Sequence, residues 1–170
     1  MDDYKYKLSI IIPMYNAEKY IGICLDSILG SNLLKEEYEI VIVNDGSQDK
    51  SPEIAQNYAA KYSNVTYLTQ ENQGQSTARN YGIKTCKGEY VWCVDADDAV
   101  EKDIVGILHL LKENPSIDIL GVQLKDVDED YTFICNSCTQ PSLPHNKIIL
   151  GRDAILLGYK PSSVCALITS

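Results

Sequence analysis

Five apolar runs divide the first 122 residues, and most of the intervals between them repeat their apolar positions at helical spacing. Leu8-Ser9-Ile10-Ile11-Ile12-Pro13 is nearly continuous, the pattern of a strand covered on both faces. Ala17, Tyr20, Ile21, Cys24, Leu25, Ile28 and Leu29 then form one helical stripe. Gly30-Ser31-Asn32 ends it. Glu39 to Val43 predicts a second strand, which runs into the turn residues Asn44-Asp45-Gly46-Ser47. A helix is predicted over 50–62, with Pro52 in its first turn. A strand over Val65 to Leu68 and a helix over Ser76 to Cys86 follow, the helix closed by Gly88. Tyr90 to Val94 is the fourth strand. Glu101 to Asn114 is a helix with Ile104, Val105, Leu108 and Leu111 inward, stopped by Pro115. Ile117 to Val122 is the fifth strand.

Alternation of strand and helix predicts an α/β fold, a mainly parallel open sheet with helices on both faces. Beyond Val122 the pattern changes. Asp126 to Asp130 reads as a solvated hairpin tip, Tyr131 to Cys135 as a short strand, Gly151 to Tyr159 as a short helix and Val164 to Ser170 as a strand. With no repeat and no low-complexity linker, 1–170 reads as a single domain.

Charge narrows the partners. The chain has 15 basic and 24 acidic residues, net -9. That argues against a nucleic-acid binder, whose footprint would be a basic face, and against docking to an anionic membrane by charge alone. No apolar run is long enough for a transmembrane segment, and charged and tyrosine residues precede the first one, unlike a signal peptide. Cys24, Cys86, Cys93 and Cys165 lie in apolar contexts and read as buried thiols of a reducing compartment. Cys135 and Cys138 have C-x-x-C spacing but no second pair to complete a zinc site. The expectation is a cytoplasmic protein, with peripheral attachment at the inner face of the cell membrane and homo-oligomerisation both compatible with it.

In open α/β sheets, ligands bind at the carboxyl ends of the strands. Those ends carry Pro13-Met14-Tyr15-Asn16, Asn44-Asp45-Gly46-Ser47, Gln70-Glu71-Asn72-Gln73-Gly74 and Asp95-Ala96-Asp97-Asp98. Asp95 and Asp97 would share a side if the segment is extended. A divalent cation would relieve their repulsion, and Mg²⁺ or Mn²⁺ takes one or two carboxylates beside substrate phosphates. The alternative is a solvated acidic turn. Asp45 is either an Asx-turn residue or an acceptor for a base or ribose group. Arg79, near a helix start, is either a surface ion pair or a contact to a diphosphate or base. Gly74 would let the backbone approach there. Tyr15 either packs on the first helix or offers a flat face to a base. G-x-G-x-x-G after the first strand and G-x-x-x-x-G-K-[ST] are both absent, which argues against a dinucleotide oxidoreductase and a P-loop protein. A nucleotidyltransferase would want a Gly- and Arg-rich first loop, which 13–16 is not.

In order and spacing, the segments 9–16, 41–49, 72–82 and 88–98 resemble glycosyltransferase family 2, the nucleotide-diphospho-sugar transferases of the GT-A fold. The resemblance covers about residues 7–122. It implies a nucleotide-sugar-binding core over 1–122, with 123–170 starting the acceptor-side region. It implies a glycosyltransferase that binds a nucleotide-sugar donor, a UDP-sugar, with Mn²⁺ or Mg²⁺. The sugar would pass with inversion to a hydroxyl of a glycan, lipid-linked or other acceptor, in polysaccharide or glycoconjugate synthesis. The implied donor-site residues are Pro13, Tyr15, Asn16, Asp45, Gly74, Arg79, Asp95 and Ala96, with Asp97 on the metal and Asp98 supporting the loop. The family's general base stands well beyond the D-x-D, so it is expected past Ser170. The alternative is a donor-binding module or incomplete fragment without its own base.

Overall fold

The computed structural model describes residues 4–102, 104–122, 124–128, 133–137 and 167–169. Four parallel strands form the heart of the sheet: β1 (Tyr6–Met14), β2 (Tyr38–Asp45), β3 (Val65–Gln70) and β4 (Gly88–Cys93). Their order is β3-β2-β1-β4. The helices between them are α1 (Ile21–Leu29), α2 (Ser51–Lys61) and α3 (Gln75–Thr85), and α4 (Ile104–Glu113) follows β4. The alternating pattern and the mainly parallel sheet are as predicted.

The alternation of β1 explains the layers. Leu8, Ile10, Ile12 and Met14 face one way and share a core with Ile21, Cys24, Leu25 and Ile28 of α1, Ala55 of α2, and Ile104, Leu108 and Leu111 of α4. Ile11 faces the other way, with Val41, Val43, Cys93 and Ala78 of α3. Three helices thus cover one face and α3 covers the other. Burial of each large aliphatic side chain stabilises by about 1.5–3 kcal/mol, so the β1 residues anchor both layers.

The two central strands also bury a polar pair. Ser9 and Glu39 are opposite each other in register, and Ser9 Oγ donates to Glu39 Oε1 at 2.6 Å. The amide of Gly88 donates to Ser9 Oγ at 2.8 Å, and the amide of Lys87 donates to Glu39. The pair therefore satisfies the backbone at the entry to β4, at the sheet edge opposite the strand carboxyl ends.

Several boundaries differ from the sequence expectations. Gly88 begins β4 instead of closing α3. α1 starts at Ile21, later than the apolar stripe suggests, because the amides of residues 16–18 bond to side chains of the β2–α2 loop and of Ser51 at the start of α2. β5 (Ile119–Gly121) does not pair with β4. β8 (Leu167–Thr169) lies between them, antiparallel to both. β6 (Leu124–Val127) and β7 (Phe133–Ser137) form a separate antiparallel pair, so the acidic run begins inside a strand. The helix expected over 151–159 and Cys138 lie outside the described residues. Among the described residues, no helix is long and apolar enough to cross a membrane.

The Tyr58 hydroxyl of α2 ties it to α1 with a pH signature. Tyr58 Oη donates to Asp26 Oδ1 at 2.7 Å. Burial, then the Asp26 bond and charge, push the Tyr58 phenol up to about 12. A phenol raised in the fold contributes stability that is complete below its ordinary value near 10 and is lost as pH climbs towards 12. Tyr58→Phe should cost about 1 kcal/mol or less at pH 8, since solvent screens the pair. Urea midpoints of the two proteins should converge between pH 10 and 12; a constant gap would count against the contact.

Candidate functional site

The loops at the carboxyl ends of β1, β2, β3 and β4 close around one cavity of about 460 Å³. Its wall includes Pro13, Tyr15, Asn16, Asp45, Gly74, Asp95, Ala96 and Asp97. All the sequence-selected residues except Arg79 and Asp98 thus line it, and Arg79 meets it through Asp95.

The β1–α1 loop is stitched to the β2–α2 loop by reciprocal hydrogen bonds. The amides of Asn16, Ala17 and Glu18 donate to Ser47 Oγ, Ser51 Oγ and Asp49 Oδ2 at 3.0, 2.8 and 3.0 Å. In return, the Gln48 and Lys50 amides donate to Asn16 Oδ1 and Glu18 Oε2 at 2.8 and 3.1 Å. Asn16 has φ +50, a left-handed conformation that asparagine tolerates better than most residues. Its side chain therefore serves the loop. The stitched loop presents Tyr15, which is 52% exposed, on the cavity wall. Tyr20, 41% exposed, stands on the same wall.

Asp45 ends β2 and is only 3% exposed. Its Oδ1 accepts from Gln70 Nε2 at 2.7 Å and the Gln73 amide at 2.9 Å, and its Oδ2 from the Gly74 amide at 2.9 Å. Asp45 thus shapes a loop, but the loop after β3 rather than its own turn. Gly74 caps α3 at φ +90, and a Cβ there would meet nothing within 4 Å. That positive φ is a backbone conformation glycine adopts without strain.

The acidic segment is not extended. Ala96 and Asp97 form a turn in which the Asp98 amide donates to the Asp95 carbonyl at 3.0 Å. Asp95 and Asp97 still share the cavity, by turn geometry instead of strand alternation. Ala96 is buried and packs into the larger core beneath. Asp95 Oδ1 accepts from Arg79 Nη2 at 2.6 Å and from Gln75 Nε2 at 2.9 Å. The Arg79–Asp95 ion pair is partly buried, so it is less screened than a surface pair. Asp97 is exposed. Asp98 reaches solvent too, yet the surrounding protein, and then the charges of Asp95 and Asp97, push its carboxyl above the usual range. Among the described residues, no three acidic, cysteine or histidine side chains converge into a metal cage. The arrangement fits a cation held by one or two carboxylates and completed by ligand oxygens.

Tyr20, Asn72 and Gln75 also line the cavity and were not selected from the sequence. Gln75 had a usable signal, since it lies four residues before Arg79 and so on the same helical face. Tyr20 resembled any apolar-stripe residue.

Comparison with known proteins supplies the context for this geometry. The Glycosyl transferase family 2 description matches residues 9–161. The chain is 38% identical over 143 residues to the uncharacterized glycosyltransferase EpsJ of Bacillus subtilis (strain 168), covering 84% of this chain and 40% of that protein. It is 41% identical over 125 residues to the poly(ribitol-phosphate) beta-glucosyltransferase of Bacillus spizizenii (strain ATCC 23059 / NRRL B-14472 / W23), covering 72% of this chain and 20% of that protein. The crystal structure of S. aureus TarS 1-349 in complex with UDP-GlcNAc superposes with a TM-score of 0.67 at 33% identity, covering 72% of this chain and 36% of that one. The chain therefore spans less than half the length of each of these relatives. The parallel sheet, with its cavity at the strand carboxyl ends, is that of a GT-A fold. By the family match over most of its length, the chain belongs to glycosyl transferase family 2.

Proposed function

We propose that this chain is the donor-binding part of a glycosyltransferase that takes a nucleoside-diphosphate sugar, a UDP-sugar, together with Mn²⁺ or Mg²⁺. The observation that carries this reading is the convergence of Tyr15, Asp45, Asp95 and Asp97, from three strand ends, on one cavity. The UDP-GlcNAc complex of the TarS relative supports the ligand class. Tyr15 offers its face to the base beside Pro13. Asp45 holds the loop over the base and accepts from it with a remaining lone pair. Arg79 pairs with Asp95 and lends positive charge near the diphosphate. Asp95 accepts from ribose or sugar hydroxyls. Asp97, with Asp98 supporting its turn, holds the cation. A cation bound there would neutralise the nucleoside diphosphate as the glycosidic bond breaks.

The complete enzyme would transfer the sugar with inversion to an acceptor hydroxyl, in polysaccharide or glycoconjugate synthesis. The carboxylates on the cavity are all occupied by donor-side roles in this scheme. The general base is therefore assigned to the acceptor side, of which residues 123–170 are the start.

Thermal denaturation with UDP and Mn²⁺ tests the donor site. At 100 times the dissociation constant, binding should stabilise by about 2.7 kcal/mol, roughly 5–10 °C for a domain of this size. Asp97→Ala should lose the manganese-dependent part and keep the rest. Absence of a shift with any nucleoside diphosphate plus metal would overturn the proposal.

A further inference from the structure

Two donors from α3 meet one oxygen. Gln75 and Arg79 are a helical turn apart, and both bond to Oδ1 of Asp95, at 2.9 and 2.6 Å. Gln75 is exposed and lines the cavity itself. It is the first residue of α3, directly after Gly74, whose amide is bound by Asp45. The ends of β2 and β4 are thus connected through Asp45, Gly74, Gln75 and Asp95.

Resting on the donor-site reading above, we propose that Gln75 is a positioning residue that aims Asp95 at the ribose or sugar hydroxyls of the donor. The argument is electrostatic. Asp95 stands in a turn with two further carboxylates, Asp97 and Asp98, and their mutual repulsion would rotate it away. Arg79 opposes that rotation while it is paired with Asp95. An arriving diphosphate competes for the guanidinium, because both are strong partners for it. The neutral Gln75 amide is drawn to the diphosphate far less. It keeps Oδ1 occupied while the arginine redistributes its bonds, and Oδ2 stays available to accept from the ligand.

Substitution at Gln75 separates this role from a merely structural one. Gln and Leu have similar helix propensities and the Gln75–Asp95 bond is exposed, so Gln75→Leu should lower the unliganded melting temperature by no more than about 4 °C. Calorimetric titration with UDP and Mn²⁺ should then show Gln75→Leu binding about 3- to 10-fold more weakly, the loss of one charge-assisted hydrogen bond at a solvent-accessible site. Gln75→Glu should bind more weakly still, since it sets a like charge against Asp95. Parent-like affinity in both variants would overturn the proposal. So would equal losses in both variants matched by a larger drop in unliganded melting temperature, which would mark a helix-start residue only. If the parent protein itself fails to bind UDP, the donor-site reading falls, whatever the variants do.

Discussion

Asp45→Ala is expected to weaken UDP binding at least 100-fold and to lower the unfolding midpoint of the unliganded protein. The carboxylate is buried at the end of β2 and accepts three hydrogen bonds, two of them from the backbone at the entry to α3. Charge-assisted bonds of this kind contribute about 1.5–3 kcal/mol each. Water recovers part of the loss at a loop that is partly exposed, so a net cost of about 2–4 kcal/mol is expected. For a domain of this size that is roughly 5–15 °C. The 100-fold loss in affinity corresponds to about 2.7 kcal/mol, which removal of a base acceptor together with its supporting loop can supply. Asp45→Asn retains the shape but turns one acceptor into a donor facing an N–H, so it should recover little of either effect. Calorimetry with and without UDP reads both quantities. An alanine variant that melts with the parent would show that the loop does not depend on Asp45.

The second large effect is expected where α3 packs on the sheet. α3 lies so close to β1 that a Cβ on Gly82 would come within 2.4 Å of Ile11 Cγ2 and 3.3 Å of Val43 Cγ2. Ile11 is fully buried and its branched side chain has little rotational freedom. Gly→Ala in a helix interior otherwise gains about 1 kcal/mol. Here the overlap should reverse the sign, for a net destabilisation of about 1–3 kcal/mol, and more for Gly82→Val. α3 can relieve the contact only by lifting off the sheet. Arg79 and Gln75 would move with it, so UDP affinity should fall along with stability. Ile11→Ala removes the offending methyl group. The double variant Ile11→Ala/Gly82→Ala should therefore be more stable than the sum of the single effects predicts, a coupling readable in a denaturant series. Strict additivity would refute the close contact.

The parallel core was legible because β1 and β2 are covered on both faces and so read as unbroken apolar runs. The start of α1 was not, since the side chains that hold residues 16–18 outside the helix come from a loop about 31 residues further along. Nor was the place of β8, because three residues carry no record of which distant strands they join. The site divided in the same way. Position at strand ends was enough to bring Asp45, Asp95, Asp97 and Tyr15 together. It could not tell that Asp45 spends its bonds on the β3–α3 loop, that Asp95 and Asp97 meet through a turn, or that Gln75 shares Asp95 with Arg79. Those facts depend on side-chain direction, which residue type alone leaves open.

The placement of β8 has a consequence for biosynthesis. Its partners in β4 are Val91 and Trp92, some 76 residues earlier in the chain. As the polypeptide leaves the ribosome, β3, β2, β1 and β4 can assemble with their helices while β4 still presents a row of unpaired amides and carbonyls. Among the described residues, that edge closes when β8 slides between β4 and β5. Loop closure over such a distance is slow, and an open strand edge invites pairing with a neighbouring nascent chain. Solubility during synthesis should therefore depend on how quickly residues 167–169 arrive, more than on the stability of the finished sheet.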